Sequence, residues 1–346
     1  MMAGQARARA YPARPGSLRP QRRPAAPTRA RSRGAALLLA MIIVALVSTL
    51  ASGMVWQQWR AVQVESAERS RMQAVWILAG AQDWSALILR EDARADRSAG
   101  RPPVDHLGEP WATPLAEARL STFLAANRED NTEGGPEAFL SGRIVDAQSR
   151  YNLRNLIVDG KVSVQELQKL ARLCEAAGVP SSVGSTIAQG LEASWRAPAP
   201  GMEPPGDATL PVQHFAHLAR LGLDAATLSA LRPYVDVLPK PTPVNLNTAA
   251  RETLAAVLGI DVGTAERLVQ ARQRSPFDSL ERARVLLAPE FPIEQRGVSV
   301  SSAFFEVSGR LRLDERVVEE RSLVERQGDQ VITQRRERVN AHTGAP

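Results

Sequence analysis

The chain has little with which to cross-link itself or bind a transition metal: its 346 residues include one cysteine and four histidines. A lone cysteine, Cys174, excludes an intrachain disulfide. Its helical spacing with Leu167, Leu170 and Leu173 makes it read as a small buried apolar residue. His214 and His217 share one short helix, but no Cys or carboxylate joins them at ligand spacing, which argues against a zinc centre. Catalytic groupings are also missing. Asp83 with Trp84, His106, and the pair Ser181-Ser182 have no partners at a recognisable spacing, and the two serines suit a helix cap better than a nucleophile. These absences predict a protein that is not an enzyme and has no certain cofactor.

Charge is missing in two places that matter more. No acid precedes Ala35, whereas nine arginines do: Arg7, Arg9, Arg14, Arg19, Arg22, Arg23, Arg29, Arg31 and Arg33. From Ala35 to Trp56 there is no charge at all, and about 22 residues at ~1.5 Å each give roughly 33 Å of helix, enough to cross a bilayer. The positive-inside rule then keeps residues 1–34 in the cytoplasm and places everything after Trp59 on the far side. A secretory signal would have a shorter apolar run ending in a small-x-small site, not in Gln57-Gln58-Trp59-Arg60. Nine of the 43 basic residues lie in the leader, so 34 remain against 37 acids and the rest of the chain carries a net charge of −3. The basic character is a property of the leader, and nucleic acid is not an expected partner of the remainder.

Residues 1–34 are rich in Ala, Arg and Pro without apolar periodicity and predict a disordered leader. Beyond the apolar run at 35–56, Val62, Val64, Met72, Val75, Trp76, Ile77, Ala79, Leu87 and Leu89 keep helical spacing. This predicts one long helix, or one broken near Gly80. Asp92 to Pro114 reads as a loop, 115–125 as a short helix, Asn127 to Pro136 as an acidic loop and Ala138 to Ala147 as a strand. Ser163-Val-Gln-Glu166 predicts a capped helix through Ala177, closed by Gly178 and Pro180, with a second from about Ser182 to Trp195. Leu221-Gly222-Leu223-Asp224 and Leu258-Gly259-Ile260-Asp261 form an internal repeat between helical patterns. Alternation returns at Phe305 to Leu313, Val317 to Val324 and Gln330 to Val339. The fold class that this order predicts is α+β: a long N-terminal transmembrane helix and an antiparallel sheet domain, interrupted by an inserted all-α domain. The expected boundaries are 35–56 for the membrane helix, 57–151 for the helix and first part of the α/β domain, and 152–296 for the insert. Returning strands then occupy 297–339 and a flexible tail 340–346.

A basic leader ending in Gly34, an apolar helix starting at Ala35 and a sheet beyond resemble a type IV pilin or type II secretion pseudopilin. The resemblance implies cleavage by the prepilin peptidase between Gly34 and Ala35 on the cytoplasmic face. Most members carry Glu at the fifth residue after the cut, where this chain has Leu39. That Glu neutralises a neighbouring subunit's amino terminus, and a carboxylate in lipid without such a partner costs on the order of 3 kcal/mol. A subunit with no neighbour above it gains nothing from keeping one. Asp105-His-Leu-Gly-Glu109-Pro-Trp111-Ala, Asp146-Ala-Gln-Ser-Arg-Tyr-Asn152-Leu-Arg-Asn155-Leu and Val244-Asn245-Leu-Asn247-Thr248-Ala resemble the large minor pseudopilin K family of type II secretion. The likeness runs from about Arg31 to Arg326. It implies a single-pass inner-membrane subunit with a periplasmic C-terminal domain at the pseudopilus tip. The implied partners are minor pseudopilins I and J, the prepilin peptidase and inner-membrane lipid, and Leu39, Ala45, Ala51 and Gly53 would serve packing along the filament helix.

Residues 245–280 are also similar to helix-hairpin-helix modules, including those of membrane-anchored DNA receptors for competence. DNA-binding versions offer hairpin N–H groups to a phosphate from a Gly-x-Gly turn, but here Asp261, and Asp224 in the first unit, stand where the second glycine would be. The expectation is a structural helical module. Calcium is a possible ligand of Glu129, Asp130, Asn131 and Glu133, although this run lacks the EF-hand order and reads first as a solvated acidic loop.

Overall fold

The computed structural model describes residues 32–120, 137–195, 210–288, 291–313 and 316–339. It divides into two units, Met1–Ala67 and Glu68–Pro346, which are described separately.

The first unit contains the start of helix α1 (Ser32–Ser98). Among the described residues α1 is the helix long and apolar enough to cross a membrane, and its apolar side chains from Leu37 to Trp56 are exposed. The helix passes through Gly80 without a break. It also continues beyond Asp92, where a loop was expected. Glu91 to Arg97 contains no helix breaker, Ala93 is buried, and Arg94 bonds Glu91 one turn away at 3.0 Å. The end comes at Gly100, whose φ of +68° turns the chain out of the helix.

The second unit is built on a five-stranded antiparallel sheet. Its strands are β1 (Leu115–Arg119), β2 (Ala138–Asp146), β3 (Phe304–Leu313), β4 (Arg316–Gln327) and β5 (Gln330–Val339), and they lie side by side in that order. The three C-terminal strands and β2 follow their alternating pattern. β1 corrects the expectation of a helix at 115–125, since Leu115–Arg119 is strand; residues 121–125 lie outside the described residues. Leu-Ala-Glu-Ala-Arg has good intrinsic helix propensity, so tertiary context decides its state. Ala118 and Arg119 pair with Leu140 and Phe139, and Glu117 takes a 2.7 Å bond from Arg312 of β3. Ala74, Leu78 and Leu89 of α1 cover the sheet against Leu140, Ile144, Phe305, Val307 and Leu311. Gln82 ties the helix further by bonding Thr333 at 2.6 Å and accepting from Ser322 and Arg336, each at 2.8 Å. β2 and β3 approach closely at Gly142, where a Cβ would lie 2.8 Å from the Ser308 carbonyl oxygen.

Between neighbouring strands β2 and β3 the chain makes a mainly helical excursion: α2 (Val164–Ala176), α3 (Ser181–Trp195), α4 (Ala225–Leu231), α5 (Arg251–Leu258), α6 (Val262–Arg274) and α7 (Leu280–Arg284). Short two-stranded pairings, Tyr151–Asn152 with Val235–Asp236, Ile157–Val158 with Lys161–Val162 and Val244–Asn245 with Val298–Ser299, correct the expectation of an all-α insert. The excursion has its own apolar core, running from Tyr151 to Val298 and including Leu170, Leu173, Cys174, Ile187, Leu191 and Leu254. Burying one such leucine contributes about 1.5–3 kcal/mol. Ser163 caps α2 by accepting from the Glu166 N–H, but the Glu166 carboxylate turns to Tyr151 and Lys169 instead of completing a capping box. Ser181 and Ser182 are the first two residues of α3, not its cap.

Candidate functional site

Gly34 and Ala35 lie near the start of α1, and Gly34 has open space around it. Leu39, Ala45, Ala51 and Gly53 are all exposed, Leu39 to 61%. At about 100° per residue, Ala45 and Gly53 fall within roughly 80° of each other, with Ala51 on the opposite side. The helix therefore does not gather the four into one stripe. Glu129, Asp130, Asn131 and Glu133 lie outside the described residues.

The three segments that carried the resemblance converge on one buried joint between the sheet and the helical excursion. Asp146, the last residue of β2, is fully buried, and its carboxylate accepts four bonds. The donors are Gln148 N at 2.7 Å, Thr248 Oγ1 at 2.6 Å, Ser302 Oγ at 2.6 Å and Asn245 Nδ2 at 3.0 Å. Burial nevertheless pushes its pKa up to about 6, the donors pulling the other way. The Asn245 amide also reaches the Asp105 carbonyl oxygen and Ser302 Oγ, each at 3.0 Å. Asn152 and Asn155 extend the joint by bonding Thr242 and the Lys240 carbonyl. Each segment was recognisable in the sequence, but their meeting was not: Asp105, Asp146 and Asn245 are far apart along the chain.

Beside this joint, Asp92, Asp105 and Glu109 bring carboxylate oxygens within 4.8 Å of one another, the one such group among the described residues that could share a cation. A cation side chain is already there. Arg326 of β4 lies 2.6 Å from both Asp105 oxygens and 3.3 Å from Asp92, and it also donates to the Ser302 carbonyl. Burial raises the pKa of Asp92 to about 6 and that of Glu109 to about 8, with bonds from His106 N and Trp111 Nε1 to the Glu109 carboxylate pulling the other way. A divalent ion of the calcium type takes 6–8 oxygens, and here it would have to displace the guanidinium. A second charged contact fastens the excursion to the sheet. Glu306 of β3 is ringed by Arg150 at 3.3 Å, Arg232 at 3.0 Å and Arg321 at 3.4 Å.

The repeated turns are alike in structure. Gly222 and Gly259 take φ of +83° and +71°, a region open to glycine, and the aspartate two residues on caps the next helix. Asp224 accepts from Thr227 N at 2.7 Å and Asp261 from Thr264 N at 2.9 Å. Bonds to these threonines hold both carboxylates below their usual pKa. At each helix start one N–H is thus engaged by the chain's own carboxylate, which also sets a negative charge where a phosphate would sit. His214 and His217 have ring centroids 3.5 Å apart with their planes tilted by 47°, and His217 Nδ1 accepts from Gln213 N. Cys174 is a buried free thiol whose pKa burial pushes up to about 11, which keeps it unreactive.

The comparisons follow the same lines. Residues 244–292, beginning at the strand that carries Asn245, match the family model described as type II secretion system (T2SS), protein K. The chain is 30% identical over 264 residues to type II secretion system protein K of Pseudomonas aeruginosa, covering 71% of this chain and 74% of that one. It is 28% identical over 333 residues to the Pectobacterium carotovorum protein of the same name, covering 88% and 95%. A chain in the crystal structure of the GspK-GspI-GspJ complex from enterotoxigenic Escherichia coli has the same fold. Its TM-score is 0.60 at 18% identity, over 80% of this chain and 99% of that one. With sequence identity sustained over most of both chains, an α+β fold of this kind and one long apolar N-terminal helix, the protein belongs to the type II secretion system protein K family of pseudopilins.

Proposed function

We propose that this chain is the minor pseudopilin that starts and caps the type II secretion pseudopilus, and that it acts without catalysis. In this reading the prepilin peptidase cuts between Gly34 and Ala35 on the cytoplasmic side. Ala35 to Trp56 stays in the inner membrane as anchor and packing helix, and the sheet and helical excursion lie in the periplasm. The observation that carries the proposal is the helical excursion with its own core, inserted between adjacent strands β2 and β3. Such added bulk beside the sheet obstructs a further subunit above it, and Leu39 fits a subunit with no such neighbour.

Minor pseudopilins I and J are the proposed partners, as in the complex that shares this fold. The contact we assign to them is an apolar groove of about 530 Å³ between α1 and the sheet, lined by Trp76, Gly80, Trp84, Ile88, Ile144 and Val307. Trp76 is 72% and Trp84 50% exposed, and Gly80 between them leaves a notch with nothing within 4 Å. Large exposed aromatics beside a small residue suit close packing of another helix. Changing Gly34 to Leu tests the processing step: an uncut protein and failed secretion are expected, and normal processing with normal secretion would contradict the reading. A DNA-receptor role finds no support in the two turns, where the carboxylates of Asp224 and Asp261 cap the helix starts and would repel a phosphate.

A further inference from the structure

Asn245 and Asn247 are neighbours but one in sequence, and each serves a different core. Asn245 bonds Asp105, Asp146 and Ser302, on the sheet side. Asn247 accepts from Phe277 N and donates to Phe277 O, each at 2.9 Å, on the helical side. Thr248 then returns to Asp146 at 2.6 Å. We infer that Asp146, Asn245 and Thr248 are positioning residues, a polar lock that sets the orientation of the helical excursion on the sheet and so the surface this subunit presents in the filament. The last clause rests on the function proposed above; the lock itself does not.

Two physical points support a lock over mere cohesion. Apolar contact is non-directional and tolerates sliding, whereas one carboxylate bonded at once by its own turn, by Asn245 and Thr248 of the excursion and by Ser302 before β3 admits a single arrangement. A fully buried carboxylate is also a poor source of stability. Among the described residues no basic side chain bonds Asp146, and its desolvation is offset by neutral donors alone. The other fasteners are more adaptable. Arg150 and Arg232 reach Glu306 on long side chains, and the exposed Lys240 reaches Glu325.

The test uses the full chain in detergent with spin labels at V285C on the excursion and I332C on β5, two exposed positions. Cys174 is buried and stays unlabelled. Pulsed EPR on the otherwise unchanged protein should give one narrow distance distribution. Asn245→Ala and, separately, Thr248→Val should at least double its width while thermal unfolding stays cooperative. Leu170→Ala, which weakens the helical core without touching the lock, should lower the melting temperature and leave the distance narrow. If Asn245→Ala does not fold, Thr248→Val decides. A narrow distribution in the lock variants, or equal broadening in Leu170→Ala, would overturn the inference. The measurement needs no partner, so a wrong tip assignment would leave it readable.

Discussion

Glu306, partly buried, and Asp146, fully buried, are carboxylates at the junction of sheet and excursion, and their environments drive them in opposite directions. Around Glu306 the arginines Arg150, Arg232 and Arg321 outweigh burial and hold its pKa below the usual carboxylate value. Its contribution to stability is therefore complete above the unfolded-state pKa and is lost as pH falls through the folded one. Glu306→Gln removes the anion that three arginines share, leaving Asp236 to Arg150 and Arg232 and Glu319 to Arg321, and should cost about 2–3 kcal/mol. For a domain of this size that is roughly 5–10 °C in melting temperature, read by calorimetry at neutral pH. Asp146 is raised from 3.8 to about 6, so the folded state binds more protons than the unfolded one in that interval. Its contribution is greatest below about pH 4 and declines as pH rises through about 6. Carboxyl NMR titration of the folded protein should place the Asp146 midpoint near 6, and a midpoint near the unperturbed 3.8 would show that the four donors fully offset burial.

At the scale of elements, the legible parts were those whose local chemistry agrees with their final state. Strands β2 to β5 alternate, Ser163 marks the start of α2, and glycines 222 and 259 mark turns that do take positive φ. Two elements escaped because their state is imposed from elsewhere. β1 is made of helix-forming residues and is a strand because β2 offers an edge. The last turns of α1 look like a polar loop but are held by Ala93 packing inward and by intrahelical pairs. The joint around Asp146 escaped for a different reason: hydrogen bonds that span 99 to 156 residues leave no periodic trace in a sequence. Two element-level changes follow. Gly142→Ala drives a Cβ to 2.8 Å from the Ser308 carbonyl oxygen and should destabilise the β2–β3 pair by about 1–3 kcal/mol, visible as a lower melting temperature. Trp76→Ala with Trp84→Ala should leave the melting temperature within about 2 °C, since both rings are largely exposed. It should weaken binding of minor pseudopilins I and J by roughly tenfold or more in a pull-down or calorimetric titration.

On the scale of the whole molecule, charge and topology support one account. Once residues 1–34 are set aside the chain is acidic by three charges, and each of its two hairpin turns places an aspartate carboxylate on the following helix start. The chain without residues 1–34, in detergent, should therefore leave duplex DNA unshifted at near-physiological salt, where phosphate-bound proteins depend on released counterions. In the function proposed above, the bulk that separates β2 from β3 in sequence obstructs stacking of a further subunit and so assigns this one to the end of the filament. The most direct test of that claim is to tag the protein at its C-terminus, assemble pseudopili, and locate the tag by gold labelling in electron microscopy. The account predicts label at one end of each filament and none along the shaft; label distributed along the shaft would contradict it.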